Sequence, residues 1–143
     1  MPDVKEQINE VGLELTARGI SYEYIDAFEK PAIGMAFGGG DYSFNNIAIT
    51  VAFDEDGESA QIVSSPIATV PGEKTAKLLM VLNQCNCDFR WAKFYLDEDN
   101  DIIADADVVF GEEGAGFAVA ESVLLAASVI DDAYPEIMKG IWG

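Results

Sequence analysis

The chain has 143 residues, half of them apolar and 24% charged, which is the composition of a folded domain and not of a disordered tail. Its 26 acidic side chains against 8 basic ones give a formal charge of −18, a surface that repels phosphate backbones and anionic lipid and argues against nucleic-acid and membrane partners. Histidine is absent, which removes the commonest general base and nitrogen ligand, and with them serine triads and histidine-paired cysteine nucleophiles in their usual forms.

The length fits a single domain over residues 1–143 with one hydrophobic core. No basic head followed by an apolar stretch opens the chain, and its longest apolar run, Val123 to Ile130, is broken by Ser128 and too short for a bilayer. Cys85 and Cys87 are one residue apart and make no disulfide framework. A reducing, cytoplasmic compartment fits that pattern.

In chain order, Asp3 with Glu6 forms a capping box before a helix whose apolar positions are Val4, Ile8, Val11 and Leu15, with Gly19 as the stop. The period then changes to two. Tyr22 to Ile25 and Ala32 to Phe37 read as strands on either side of a turn at Glu29-Lys30-Pro31. Gly38-Gly39-Gly40-Asp41 is a break. Asn46 to Phe53 alternates, and Asp56-Gly57 forms a hairpin turn that sets Val51 opposite Ile62. Pro66 and Pro71 close this segment. A middle helix follows, with Thr75, Leu78, Leu79, Leu82 and Cys85 as its predicted buried stripe.

The second hairpin turns at Asp97 to Asp101. Ala92, Phe94 and Leu96 share a face with Ile102, Ala104 and Ala106, while Trp91, Lys93 and Tyr95 share the other with Ile103, Asp105 and Asp107. That register places Phe94 across from Ala104 and Lys93 across from Asp105, so unlike sizes and opposite charges meet. The last helix, Phe117 to Tyr134, is ended or kinked by Pro135. It carries two apolar stripes, Phe117, Leu124, Ala127 and Tyr134 on one line and Val119, Val123, Ala126 and Ile130 on another. A single sheet needs only one. The expected class is α+β: two layers, an antiparallel sheet packed against helices, in the order α-β-β-β(-β)-α-β-β-α.

None of the chemical motifs is complete. Asp97, Asp99 and Asp101 imitate the start of a calcium loop, but Ile102 and Val108 stand where glycine and a bidentate glutamate belong. They read, like Asp54-Glu55-Asp56-Gly57, as a turn held in solvent. Gly72-Glu73-Lys74-Thr75 lacks the adjacent Gly-Lys pair of a phosphate loop, and Cys85-Asn86-Cys87 lacks the second pair of a zinc site. No metal site, cofactor or catalytic residue is assigned. Trp91, Lys93, Tyr95, Ile103 and Asp105 form the candidate partner-binding face, since aromatics ringed by polar groups are typical interface anchors. The spare stripe Val119, Val123, Ala126 and Ile130 has two readings, a thicker core or a subunit contact, and is the candidate dimer contact.

The run from Ile47 to Lys139 resembles the YbjN-type bacterial sensory-transduction regulators. The resemblance rests on the strand Ile47–Phe53 with its Asp-Gly turn, Val70-Pro71, Leu82-Asn83, Arg90-Trp91-Ala92-Lys93-Phe94-Tyr95-Leu96-Asp97 and Ile130–Met138. It implies a fold like that of type III secretion chaperones, which are small acidic dimers that bind extended segments of other proteins, though this chain has four strands and not three before the middle helix. The function expected is a non-enzymatic protein-binding module, regulatory or chaperone-like and homodimeric. The alternative is a small-molecule sensor or hydrolase using acidic residues in a cleft.

Overall fold

The computed structural model describes residues 3–143. Helix α1 (Val4–Ala17) is followed by strands β1 (Glu23–Ala27), β2 (Lys30–Phe37), β3 (Ile47–Phe53), β4 (Ser59–Ser64) and the short β5 (Ala68–Thr69). A 3-10 turn at Gly72–Lys74 leads into α2 (Thr75–Asp88), then β6 (Lys93–Leu96), β7 (Asp101–Val109) and the 29-residue α3 (Gly114–Trp142). This is the α+β order that the periodicity predicts, with β5 as a small addition. The strands form one antiparallel sheet running β1-β2-β3-β4-β7-β6, and β5 continues β4 along the same side of β7.

The local signals explain most of these boundaries. The Asp3 carboxylate accepts the Lys5 N–H at 2.9 Å and starts α1. At the other end Gly19 adopts φ +77, and the N–H groups of Gly19 and Ile20 bond the carbonyls of Thr16 and Leu15, a closure that a residue without Cβ makes most readily. The Asp56-Gly57 turn pairs Val51 with Ile62, as its position predicts. Asp54 is more than a solvated turn residue: one carboxylate oxygen accepts from Lys30 Nζ at 2.6 Å and the other from Ser59 Oγ at 2.6 Å. The first hairpin turns earlier than its sequence suggests. Ala27 pairs with Lys30, and Phe28 and Glu29 form the turn at φ +55 and +59. Between β4 and β5, Pro66 sits in a bulge where the Ser64 hydroxyl accepts the Ala104 N–H that regular pairing would have used.

Alternation sorts the sheet into two faces. Ile33, Met35, Ile49, Val51, Ile62, Phe94, Ile102 and Ala104 join one apolar cluster with Ile8, Val11 and Leu15 of α1, Leu78, Leu82 and Cys85 of α2, and the buried residues of α3. All three helices therefore cover the same face. Even-numbered residues of the second hairpin point inward, as the pattern predicts. Leu79 departs from expectation and is exposed, because the α2 stripe that meets the core runs 78-82-85 and leaves residue 79 a quarter-turn outside it.

Helix α3 accounts for its own surplus of apolar surface. It packs against β7 and β4 on one side and against both α1 and α2 on the others; the second stripe lies inside the protein, while of the first Ala127 is buried, Leu124 and Tyr134 are half-buried and Phe117 is exposed. Val119, Val123, Ala126 and Ile130 are all buried, and the assignment of this line to a dimer contact is corrected: it is intramolecular core. By length and composition α3 could cross a bilayer, but those apolar side chains are already covered by protein.

Pro135 neither ends nor breaks α3, which continues to Trp142. A proline at this position removes the N–H that would bond the Asp131 carbonyl one turn earlier. That carbonyl instead accepts from Ser43 Oγ at 2.8 Å, while the Ser43 N–H donates to Asp131 Oδ1 at 2.5 Å. The loop after β2 thus repairs the gap, and the adjoining Phe44 packs edge-on against Tyr134 at 5.9 Å. Ser43→Ala is expected to lower stability in urea unfolding by about 1 kcal/mol. The loss should nearly vanish in a Pro135→Ala background, where the helix supplies its own donor.

Candidate functional site

The face of the sheet turned away from the helices is uncovered, and the second hairpin supplies its aromatic groups. Chain direction is set by Trp91, which occupies the left-handed region at φ +79 between the end of α2 and the start of β6. A bulky residue there costs about 1 kcal/mol relative to an ordinary conformation. The indole is 56% exposed, and the Arg90 guanidinium lies 4.6 Å from its ring centroid, within reach of a cation–π attraction. Tyr95, within β6, is 41% exposed.

Cross-strand register brings the remaining candidates together as predicted: Tyr95 opposite Ile103 and Lys93 opposite Asp105. Their environments differ from the expectation in two respects. Ile103 is only 7% exposed, because its strand is flanked by β6 on one side and the β4–β5 corner on the other; it supports the face without offering contact area. Lys93 forms no ion pair with Asp105. Its ammonium instead donates to the carbonyls of Asn86 at 3.0 Å and Phe89 at 3.4 Å at the end of α2, where the unpaired C=O groups and the helix dipole favour a cation.

Asp105 is therefore left without a countercharge. It lies between Lys93 of β6 and Val63 of β4, and burial pushes its carboxyl above the usual range, with the nearby Asp107 charge adding to the shift. Burial, and then Asp105 and Asp97, also raise the Tyr95 phenol, so it stays neutral and available as a donor. Asp54 shows the opposite effect, with hydrogen bonds from Lys30 and Ser59 holding its carboxyl below the usual range.

The acidic turn of the second hairpin is engaged internally. Asp97, Asp99 and Asp101 bring carboxylate oxygens within 4.8 Å of one another. Yet Asp97 Oδ1 accepts the N–H groups of Asp99 and Asp101 at 3.0 and 2.9 Å, and Asp101 Oδ1 accepts from Thr69 Oγ1 at 2.5 Å. Asn100, left-handed at φ +62, donates from its amide to Val70 O and Thr75 Oγ1, tying the turn to the start of α2. This arrangement explains the three aspartates as turn formers. Cys85 is buried and its thiol is pushed up by that burial and by Glu136 and Asp88, which disfavours the reactive thiolate.

Two features were not read from the sequence. Asn86, on the last turn of α2, bonds both backbone groups of Phe94 that face away from β7: its amide nitrogen donates to Phe94 O at 3.0 Å and its Oδ1 accepts Phe94 N–H at 2.8 Å. It occupies the outer edge of β6 as a neighbouring strand would. The second feature is a cleft of about 590 Å³ between α2 and the end of α3, with Val81, Cys85 and Phe89 on its apolar side and Lys77, Asp88, Asp132, Glu136 and Lys139 around it.

The electrostatics predict opposite responses to acid. With its folded pKa raised, Asp105 binds its proton more tightly in the folded chain, so its contribution to stability falls as pH rises through that value; Asp54, with a lowered pKa, contributes at neutral pH and loses this as pH falls. Asp105→Asn should raise the urea midpoint at pH 7 and Asp54→Asn should lower it, and both differences should shrink in acid. At residue 91, Trp91→Gly is expected to be more stable than Trp91→Ala by about 1 kcal/mol, since only glycine accepts the positive φ without a Cβ clash.

No curated protein matches the chain in sequence. The family model YbjN, described as "Putative bacterial sensory transduction regulator", matches residues 13–138. That span runs from the second half of α1 through most of α3, so it includes β1 and β2, which precede the run that carried the resemblance, as well as the second hairpin with Trp91 and Tyr95. With nearly its whole length matched, this chain belongs to the YbjN family.

Proposed function

We propose that the chain is a non-catalytic protein-binding module with a regulatory or chaperone-like role, acting as a homodimer in the cytoplasm. The observation that carries this reading is the exposure of Trp91, just before β6, and of Tyr95 on the uncovered face of that strand, the former held by a strained backbone. Strain of this kind persists only where surrounding structure maintains it, and it recurs at binding sites. Large aromatics at the surface add contact area at small entropic cost. The family's regulatory description agrees with a role exerted through a partner. Support for a second copy comes from α2, whose outward side leaves Leu79 and Met80 exposed next to each other.

The test uses the intact chain as bait in extracts of its own cells, with captured proteins identified by mass spectrometry. Trp91→Ala combined with Tyr95→Ala is expected to abolish capture of the specific partner while circular dichroism stays unchanged. A partner retained at wild-type level by this double variant would remove the proposed face. Light scattering across a concentration series tests the homodimer separately, and a strict monomer at high concentration would end that part of the proposal.

A second reading, a small-molecule sensor or hydrolase working through carboxylates, is favoured by the cleft between α2 and α3 with Asp88, Asp132 and Glu136 around an apolar side. A metabolite that raises the melting temperature in wild type but not in Glu136→Gln would select it over the first.

A further inference from the structure

We infer that β1 is the point at which an extended, basic segment of a partner protein joins the sheet as an added strand. This rests on the protein-binding reading but not on the Trp91 and Tyr95 face, which lies at the other end of the sheet.

The two outer strands differ. At β6 the outward groups of Phe94 are taken by Asn86. At β1 the pairing dictates which groups are free. Ala27 pairs with Lys30 across the two-residue turn, and Asp26 stands opposite Pro31, which has no N–H. Glu23, Ile25 and Ala27 therefore exchange bonds with β2, and the N–H and C=O of Tyr24 and Asp26 point outward. Among the described residues, no hydrogen bond reaches those four groups. An incoming strand would find a regular row of donors and acceptors.

Its side chains would also find room on both faces, as strand addition requires for specificity. On the outer face a groove of about 800 Å³ runs past Ile25 over Gly34, Ala36, Ala48 and Thr50, where small side chains keep the floor low. On the helix face a second concavity of about 490 Å³ is bounded by Thr16, Ile20, Tyr22 and Tyr24. Tyr24 and Phe28, 63% and 58% exposed, flank the strand.

Charge selects the occupant. Glu23, Asp26 and Glu29 are exposed along this edge, and among the described residues no cation pairs with them; the nearest base, Lys30, is engaged by Asp54. A second copy would bring the same three acids to the same edge and be repelled, whereas lysine or arginine would be drawn in.

The probe is a short fluorescein-labelled peptide alternating lysine with valine, compared with its glutamate counterpart and with a version N-methylated on every residue, which cannot donate along either edge. Saturable binding of the lysine peptide is expected by anisotropy, weakening with salt, with new hydrogen-exchange protection at the Tyr24 and Asp26 amides. The glutamate and N-methylated peptides should fail to bind. Asp26→Pro, which removes an outward N–H together with one acid, should weaken binding about tenfold or more, and by more than Asp26→Asn, which removes the charge alone. Glu23→Lys with Asp26→Lys gives a second route, turning preference toward the glutamate peptide. Trp91→Ala with Tyr95→Ala should leave peptide binding intact, so the two surfaces fail separately. The proposal is overturned by absent saturation, by equal binding of all three peptides, by protection elsewhere than β1, or by a concentration-dependent dimer that Asp26→Pro abolishes, which would assign the edge to a second copy.

Discussion

A helix that is apolar around most of its circumference is stable in water only when enclosed, and α3 imposes that requirement on everything else. It packs against β7, β4, α1 and α2 and leaves one line from Phe117 through Glu121, Leu125 and Ser128 to Asp132 at the surface. To supply that enclosure, the chain gathers its helices on one side of the sheet. The opposite side is then left to its own side chains, where the centre is built from Ala32, Ala52, Gly34 and Ala48 and the larger groups stand toward the rims. The bare sheet face follows from burying α3, since all three helices are gathered on the opposite side.

This arrangement also decides what the acidic charge can do. Three ion pairs occur among the described residues, and two of them share Arg18. The few bases are committed to architecture: Arg18 bridges α1 to α3 through Glu121, Lys30 closes the first hairpins through Asp54, and Lys93 caps α2. Most carboxylates are left uncompensated at the surface. Such a field favours encounter with basic partners. Asp105 is the local expression of this surplus, a half-covered acid whose nearest base has been drawn to a helix end.

The strands and hairpin registers were legible because one-sided burial enforces strict alternation: Val51 opposite Ile62 and Phe94 opposite Ala104 can be read directly from residue type. The exposure of Tyr95 was legible in the same way, from its odd position in the second hairpin. Three things were not. Both stripes on α3 read alike, because periodicity shows that a side chain is apolar and not whether protein or a second copy covers it. Charge complementarity suggested a Lys93–Asp105 pair, yet the carbonyls at the end of α2 attract the ammonium more strongly, and nothing local in sequence announces a helix end folded back over a strand. The course of α3 through Pro135 depends on Ser43, 88 residues distant from the carbonyl it satisfies, a contact visible only once the chain is folded.

The amide of Asn86 has a consequence for how this molecule can assemble. Sheets propagate by exposing a fresh template at each addition, and that demands two live borders, one to accept and one to offer. Here the Phe94 position of one border is occupied from within by a side chain. A strand arriving at that border meets a donor and an acceptor already engaged, so the border at β1 is the one that offers an uninterrupted row.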